Sequence, residues 1–267
     1  MDAPIKHVPF VASYNRDFHW LRCLLKSLLR HGDGWSAPVV CTDRKDAAGA
    51  AVIAAQEFPG SSVVVLDPKP NGCGYLRAQC AMMSCDLLAD GDYFWLFGSD
   101  TVLTSRLSPL DLWSHDYARP VMPYTPHASL GRITEHWKRG VEAALGFEPE
   151  NEFMRRLPLP YPRTLYPRVR EALLQRHGME WDSYVYSTAA GRNGYQSTFS
   201  ESNVLGAYAW QHMHSIYAWV NTDEFNPYQP PLYQFWSHGG FSHVDPRTGK
   251  TQGQMLVDMG LWDGQSV

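Results

Sequence analysis

The sequence predicts an α/β fold with a mostly parallel central sheet flanked by helices, and three observations predict it. Short apolar runs alternate with helix-spaced segments through the first 103 residues, the order that builds parallel strands with covering helices. One run, 93–98, carries no charge and holds five large apolar or aromatic side chains, so both of its faces need cover. Hydrophobic residues make up 44% of 267 positions, enough to fill the core of one large domain.

Residues 7–12 (His-Val-Pro-Phe-Val-Ala) read as the first strand, followed by the polar turn Ser13-Tyr14-Asn15-Arg16-Asp17. Phe18, Leu21, Leu24, Leu25 and Leu28 then recur at helical spacing until His31-Gly32. Residues 38–42 give a second strand, the alanine-rich stretch 47–57 a helix stopped by Pro59-Gly60, and 62–66 a third strand. A Pro- and Gly-rich loop over 67–74 leads into a helix over 75–88. Its apolar spacing is Leu76, Cys80, Met83, Leu87, with Arg77 and Gln79 on other faces. The stretch 92–103 is the fourth strand, closed by a turn at Gly98-Ser99-Asp100.

Beyond Leu103 the texture loosens. A helical turn is expected at 109–113, a strand at 120–124, and a helix over 131–146 with Ile133, Trp137, Val141 and Leu145 on one face. An irregular proline-rich connection over 157–167 precedes helices at 168–177, from Ser200-Glu201 onward, and at 252–261. One domain over 1–267 is expected, with halves 1–105 and 106–267 and an insertion at 106–194 in the second.

Composition narrows the function classes. Ten Trp and fourteen Tyr exceed what a core of this size needs, and surplus aromatics suit a cleft for flat or ring-shaped ligands, sugars included. A net charge of −4 argues against a generally nucleic-acid-binding surface. Cys23, Cys41, Cys73, Cys80 and Cys85 form no CxxC and no zinc pattern, which favours reduced thiols and a cytoplasmic location. The first residues, Met-Asp-Ala-Pro-Ile-Lys, hold no apolar signal segment, and no run is long and apolar enough for a membrane span. Neither GxGxxG nor GxxxxGK[ST] occurs, so dinucleotide-binding and P-loop readings fail.

Four constellations could bear chemistry. The turn 13–17 stands where doubly wound sheets meet nucleotides, although Ser13 or Asn15 could equally cap a helix. Arg77 and Gln79 lie at a helix start, a place that favours anionic groups, or else form part of an ordinary helix surface. Asp100, beside Ser99 at the end of the fourth strand, could hold a divalent cation against a pyrophosphate, or could bond its own turn. Glu201 near a helix start and His238 in a glycine-relaxed loop complete the set, as a dipole partner and structural histidine or as site groups.

Together these pieces resemble the GT-A glycosyltransferases, which use nucleotide-activated sugars. The resemblance rests on the Ser-Tyr-Asn-Arg-Asp turn, on Gly74-Tyr-Leu-Arg-Ala-Gln, and on Tyr93-Phe-Trp-Leu-Phe-Gly-Ser-Asp-Thr-Val-Leu. It also rests on Ser200-Glu-Ser-Asn-Val-Leu-Gly-Ala-Tyr, similar to small bacterial and phage GT-A-like proteins with a DSD-type motif. It spans 7–105 and 195–243 and leaves 106–194 unmatched. Gly98 replaces the first acid of the family's DxD motif, so weaker metal binding, a ligand from Asp92 or His238, and a metal-independent or degenerate enzyme all stay open.

The resemblance implies a GT-A-like single domain, its first half binding the nucleotide sugar and its irregular, aromatic-rich second half forming the acceptor wall. Asp100 and His238 would hold Mn²⁺ or Mg²⁺. Ser13 and Asn15 would meet the base or ribose, Arg77 and Gln79 the phosphates or sugar, and Tyr14 and Ser99 would join them in binding the donor. Glu201 would act as general base in an inverting enzyme or hold the sugar in a retaining one. The implied reaction moves a hexose, with glucose as one option, from a nucleoside diphosphate sugar such as a UDP-sugar to a hydroxyl acceptor. The acceptor is a cell-envelope saccharide or a hydroxymethylated pyrimidine in phage DNA. The latter would find a basic track in Arg155, Arg156, Arg163, Arg168 and Arg170. A nucleotidyltransferase and a non-catalytic nucleotide-sugar-binding relative are the rivals.

Overall fold

The computed structural model describes residues 4–69, 73–116, 118–154, 158–189, 198–224 and 230–264. The first half runs β1 (His7–Ala12), α1 (Phe18–His31), β2 (Val39–Thr42), α2 (Ala47–Glu57) and β3 (Ser62–Val65). It continues with α3 (Gly74–Met82), α4 (Cys85–Leu88), β4 (Tyr93–Phe97) and β5 (Thr101–Leu103). Then come β6 (Val121–Pro126), α5 (His127–Leu130), α6 (Glu135–Leu145), β7 (Asn151–Glu152), β8 (Leu159–Pro162), α7 (Leu165–His177) and α8 (Trp181–Ser187). The last elements are α9 (Glu201–His212), β9 (Ala218–Asn221), β10 (Leu232–Gln234) and α10 (Gln252–Asp258).

The central sheet has the order β3-β2-β1-β4-β8, parallel except for β8, which runs antiparallel against β4. The expected fold class is therefore present. Side chains alternate across the pleat and sort into two cores. Val8, Phe10, Val39, Cys41, Phe94 and Leu96 point into a cluster shared with α3, α6, α7 and α9. Val11, Val40, Trp95 and Phe97 point the other way, against α1 and α2. The uncharged run in β4 thus reflects cover on both faces. Burying each of its four inner side chains stabilises the fold by about 1.5–3 kcal/mol. Two smaller sheets, β7-β6-β9 and β10-β5, flank this one.

Several expectations need correction. The helix expected over 75–88 breaks into α3 and α4, because the Ser84 hydroxyl donates to the Cys80 carbonyl at 2.8 Å and competes with the helical ladder. The break turns Leu87 out to solvent, while Arg77 and Gln79, on other faces as expected, lie buried and are not ordinary helix surface. Strand character resumes after the Gly98-Ser99-Asp100 turn, but β5 pairs with β10 outside the central sheet. The proline-rich stretch expected to be irregular contains β8. A sheet edge accepts proline because its outer side needs no donors. The next helix begins at Leu165, earlier than expected, with Pro167 in its first turn, where no helical donor is lost.

The helix expected over 131–146 is a 3₁₀ turn at Gly131–Thr134 followed by α6, whose buried stripe is Gly140, Val141 and Ala144. The side chain of Ile133 lies outside the described residues. Gly140 explains the closeness of the next layer: a Cβ there would stand 1.9 Å from the Thr198 carbonyl oxygen. Only hydrogen lets the chain pass so near before it enters α9, and this passage delivers Ser200 and Glu201 to the sheet.

Candidate active site

β1 and β4 are neighbouring parallel strands, and the crevice outside their carboxyl ends is where an open α/β sheet receives a ligand. The residues singled out from sequence gather there in two groups, one buried and one at the rim.

The buried group starts from the turn after β1. Ser13 is buried, and its N–H donates to the Cys41 carbonyl of β2 at 2.9 Å, which fixes the exit of the strand. Its own carbonyl accepts a 2.9 Å hydrogen bond from the Arg77 guanidinium. Arg77 is 1% exposed, and its Nε and second terminal nitrogen have no hydrogen-bond partner among the described residues. Such orphaned donors in a dry place are costly and call for explanation.

Gln79, two residues on, accepts the Glu201 backbone N–H at 2.9 Å and so ties α3 to the start of α9. That start is capped by the Ser200 side chain, which accepts from the Asn203 N–H. Glu201 is 4% exposed; one carboxylate oxygen accepts from the Ser202 hydroxyl at 2.9 Å, and the other has no partner among the described residues. Burial pushes its pKa up from the usual carboxylate range to about 7, against the pull of hydrogen bonds from Ser202 and Gln79. The Tyr75 hydroxyl, donating to the Phe199 carbonyl at 3.2 Å, closes the layer beside it.

The rim group lies where the turn after β1 meets the turn after β4. The buried Ser99 hydroxyl donates to the Asp17 carboxylate at 3.4 Å. The Asp17 carboxyl is pushed up to about 6, chiefly by burial and next by the negative charge of Asp100, with Ser99 and His238 opposing. Asp100 is itself raised by burial, offset by hydrogen bonds from Ser237 and Gln234. The Ser237 N–H reaches its carboxylate at 3.4 Å, and its backbone carbonyl accepts the Phe235 N–H at 2.8 Å.

Tyr14 and Asn15 occupy the turn between the groups, half-buried and exposed, and the Asn15 N–H is held by the Asp46 carboxylate at 3.1 Å. The exposed His238 stands near enough to act on Asp17 through space. Asp17 belonged to the turn noticed in the sequence, yet nothing there marks it as the neighbour of Asp100.

Among the described residues no three His, Cys, Asp or Glu side chains form a ligand set for one metal ion. Two desolvated, like-charged carboxylates still fit a hard cation in the way Mg²⁺ is commonly held, by one or two protein carboxylates with phosphate and water oxygens completing the shell. The basic track fares worse. Arg163 spends its guanidinium on the carbonyls of Gly91, Asp86 and Ala89, and Arg170 is locked in a bidentate pair with Asp86. Arg168 is exposed, and Arg155 and Arg156 lie outside the described residues.

No protein-family model matches the chain, and no curated protein matches it in sequence. Among solved structures, the chain is similar to the galactosyltransferase LgtC in complex with donor and acceptor sugar analogues. The identity is 11%, 97% of each chain is covered, and the TM-score is 0.54. It is also similar to WbbM, a bifunctional glycosyltransferase, at 10% identity and TM-score 0.42; 69% of this chain matches and spans only 38% of that one, too loose a likeness to build on. The fold is GT-A-like: a mixed α/β fold with a mostly parallel central sheet, similar to that of the galactosyltransferase. No helix among the described residues is long and apolar enough to cross a membrane.

Proposed function

We propose that this protein is a glycosyltransferase that moves a hexose from a nucleoside diphosphate sugar to a hydroxyl of an acceptor, with UDP-glucose the first donor to try. The observation that supports it best is the convergence, at the carboxyl ends of β1 and β4, of an acidic rim with a buried polar centre. In this reading the chain acts as one unit: β8 and β10, both from the second half, pair with β4 and β5 from the first.

Asp100 and Asp17, with His238 beside them, would hold Mn²⁺ or Mg²⁺ against the donor's diphosphate. Asp17 would fill the duty left vacant by Gly98. When bound, the cation would neutralise charge that builds on the departing diphosphate. Tyr14 and Asn15 would meet the base or ribose, and Ser99 would orient Asp17 toward the phosphates. Arg77 grips the Ser13 carbonyl and so positions the turn on which the donor lies. Gln79 does the same for Glu201.

Glu201 has the properties of a general base: its pKa of about 7 leaves it partly ionised at neutral pH yet basic enough to accept an acceptor's proton. In a retaining reaction the same carboxylate would grip the sugar instead. A cell-envelope saccharide is the favoured acceptor, since two arginines of the track toward DNA are spent on internal carbonyls and Asp86. A thermal-shift panel of UDP, UDP-glucose, GDP and CDP, each with and without Mn²⁺, tests the reading. Metal-dependent stabilisation by one nucleotide and its sugar is expected. Silence toward all four would overturn it, and stabilisation without transfer or hydrolysis would favour a binding-only relative.

A further inference from the structure

Between two residues that bond to Asp100, Phe235 and Ser237, stands the indole of Trp236. Trp236 is 55% exposed, whereas Phe235 just before it is buried against Trp20. An exposed indole is usually mobile; this one stands on a fixed base. The Trp236 N–H donates to the Gln252 side-chain oxygen at 2.6 Å, and its carbonyl accepts from the same amide at 3.0 Å. Gln252 is only 3% exposed and also donates to the Gly240 carbonyl at 2.7 Å.

The loop closes tightly as well. A Cβ on Gly239 would stand 2.7 Å from the Trp236 ring and 2.7 Å from His243, so only glycine lets the two rings meet. His243 packs edge-on to the indole at 4.7 Å. The next residue, Ser237, gives its N–H to Asp100.

We infer that Trp236 is a stacking platform for a pyranose ring of the acceptor saccharide, held beside the donor's phosphate end; this rests on the glycosyltransferase reading. The negative face of an indole attracts the weakly positive C–H face of a sugar, and a preorganised ring loses little entropy on binding. His243, at the edge of the platform, matches a ligand ringed with hydroxyls. A nucleobase fits less well, because nucleotide sites bury most of their ligand whereas this face is open.

Saturation-transfer NMR and calorimetry with methyl β-glucopyranoside, methyl β-galactopyranoside and N-acetylglucosamine test the inference on wild type, W236A and W236F. At least one sugar should receive saturation on its C–H face from the wild type. Its affinity should fall roughly tenfold in W236A and less in W236F. The Mn²⁺-dependent shift with UDP should persist in both variants, which also reports that they fold. Equal binding of the sugars by W236A, or no saturation of any probe by the wild type, would overturn the platform. Loss of the UDP shift in W236A alone would assign the indole to the base instead. Absence of a UDP shift in the wild type would count against the donor reading, independently of the sugars.

Discussion

The buried centre and the acidic rim of this site solve opposite problems. Around Arg77 and Glu201 the fold holds buried groups in place through Ser13 and Gln79 and leaves polar atoms with no hydrogen-bond partner among the described residues, at a cost in stability. Around Asp17 and Asp100 two part-buried carboxylates stand near enough for the charge of Asp100 to raise Asp17, and relief would come from whatever cation arrives. The difference teaches that orientation and charge capture are separable here, and that each can be altered while the other stays intact.

Glu201→Gln should separate them most sharply. Transfer should fall about 10²- to 10⁴-fold, the range for a lost general base, in a steady-state assay. The Mn²⁺-dependent shift with UDP should survive. Because a neutral amide avoids ionising in a dry place, unfolding by urea at pH 8 should show the variant as stable as the wild type or more so. A variant with full activity would remove the centre from the chemistry.

Asp100→Asn should do the reverse, abolishing the metal-dependent part of the nucleotide shift while leaving the fold unchanged. Asp17→Asn should weaken the same response less. If both variants respond to Mn²⁺ and UDP as the wild type does, the rim does not hold a cation.

The smallest effect is the pH dependence of stability. Asp17 and Glu201 both have folded pKa values raised above their ordinary ones, to about 6 and about 7. The native state therefore keeps protons that the unfolded chain has already released. Their contribution falls as pH climbs from about 4 to about 7, by on the order of 1–3 kcal/mol for Glu201. Urea titrations across that window should show the decline. Glu201→Gln should flatten its upper part and Asp17→Asn its lower part.

Much of the fold was legible because periodicity reports burial. The apolar run of β4, the helical spacing of α1 and the alanine-rich α2 all place their elements correctly. The proline content of β8 hid a strand, since composition cannot tell an edge from a loop. β9 and β10, with four and three residues, are too short for any period to register.

At the site, Ser13, Ser99, Asp100 and Glu201 announced themselves by lying beside turns and helix starts. What joins them did not. The bond from Ser99 to Asp17 spans 82 positions and that from Glu201 to Gln79 spans 122, separations at which no local pattern survives. The burial of Arg77 was equally hidden, because a long cationic side chain reads as surface until its surroundings are known.

The prolines of β8 have one more effect. The Pro160 carbonyl accepts the Tyr217 hydroxyl at 2.6 Å, so the proline side of the strand faces away from β4. Neither Pro160 nor Pro162 has an N–H to offer on that side. In the language of polymers, β8 is a chain terminator: it can add to the sheet but cannot be added to, which closes that edge to another molecule's strand.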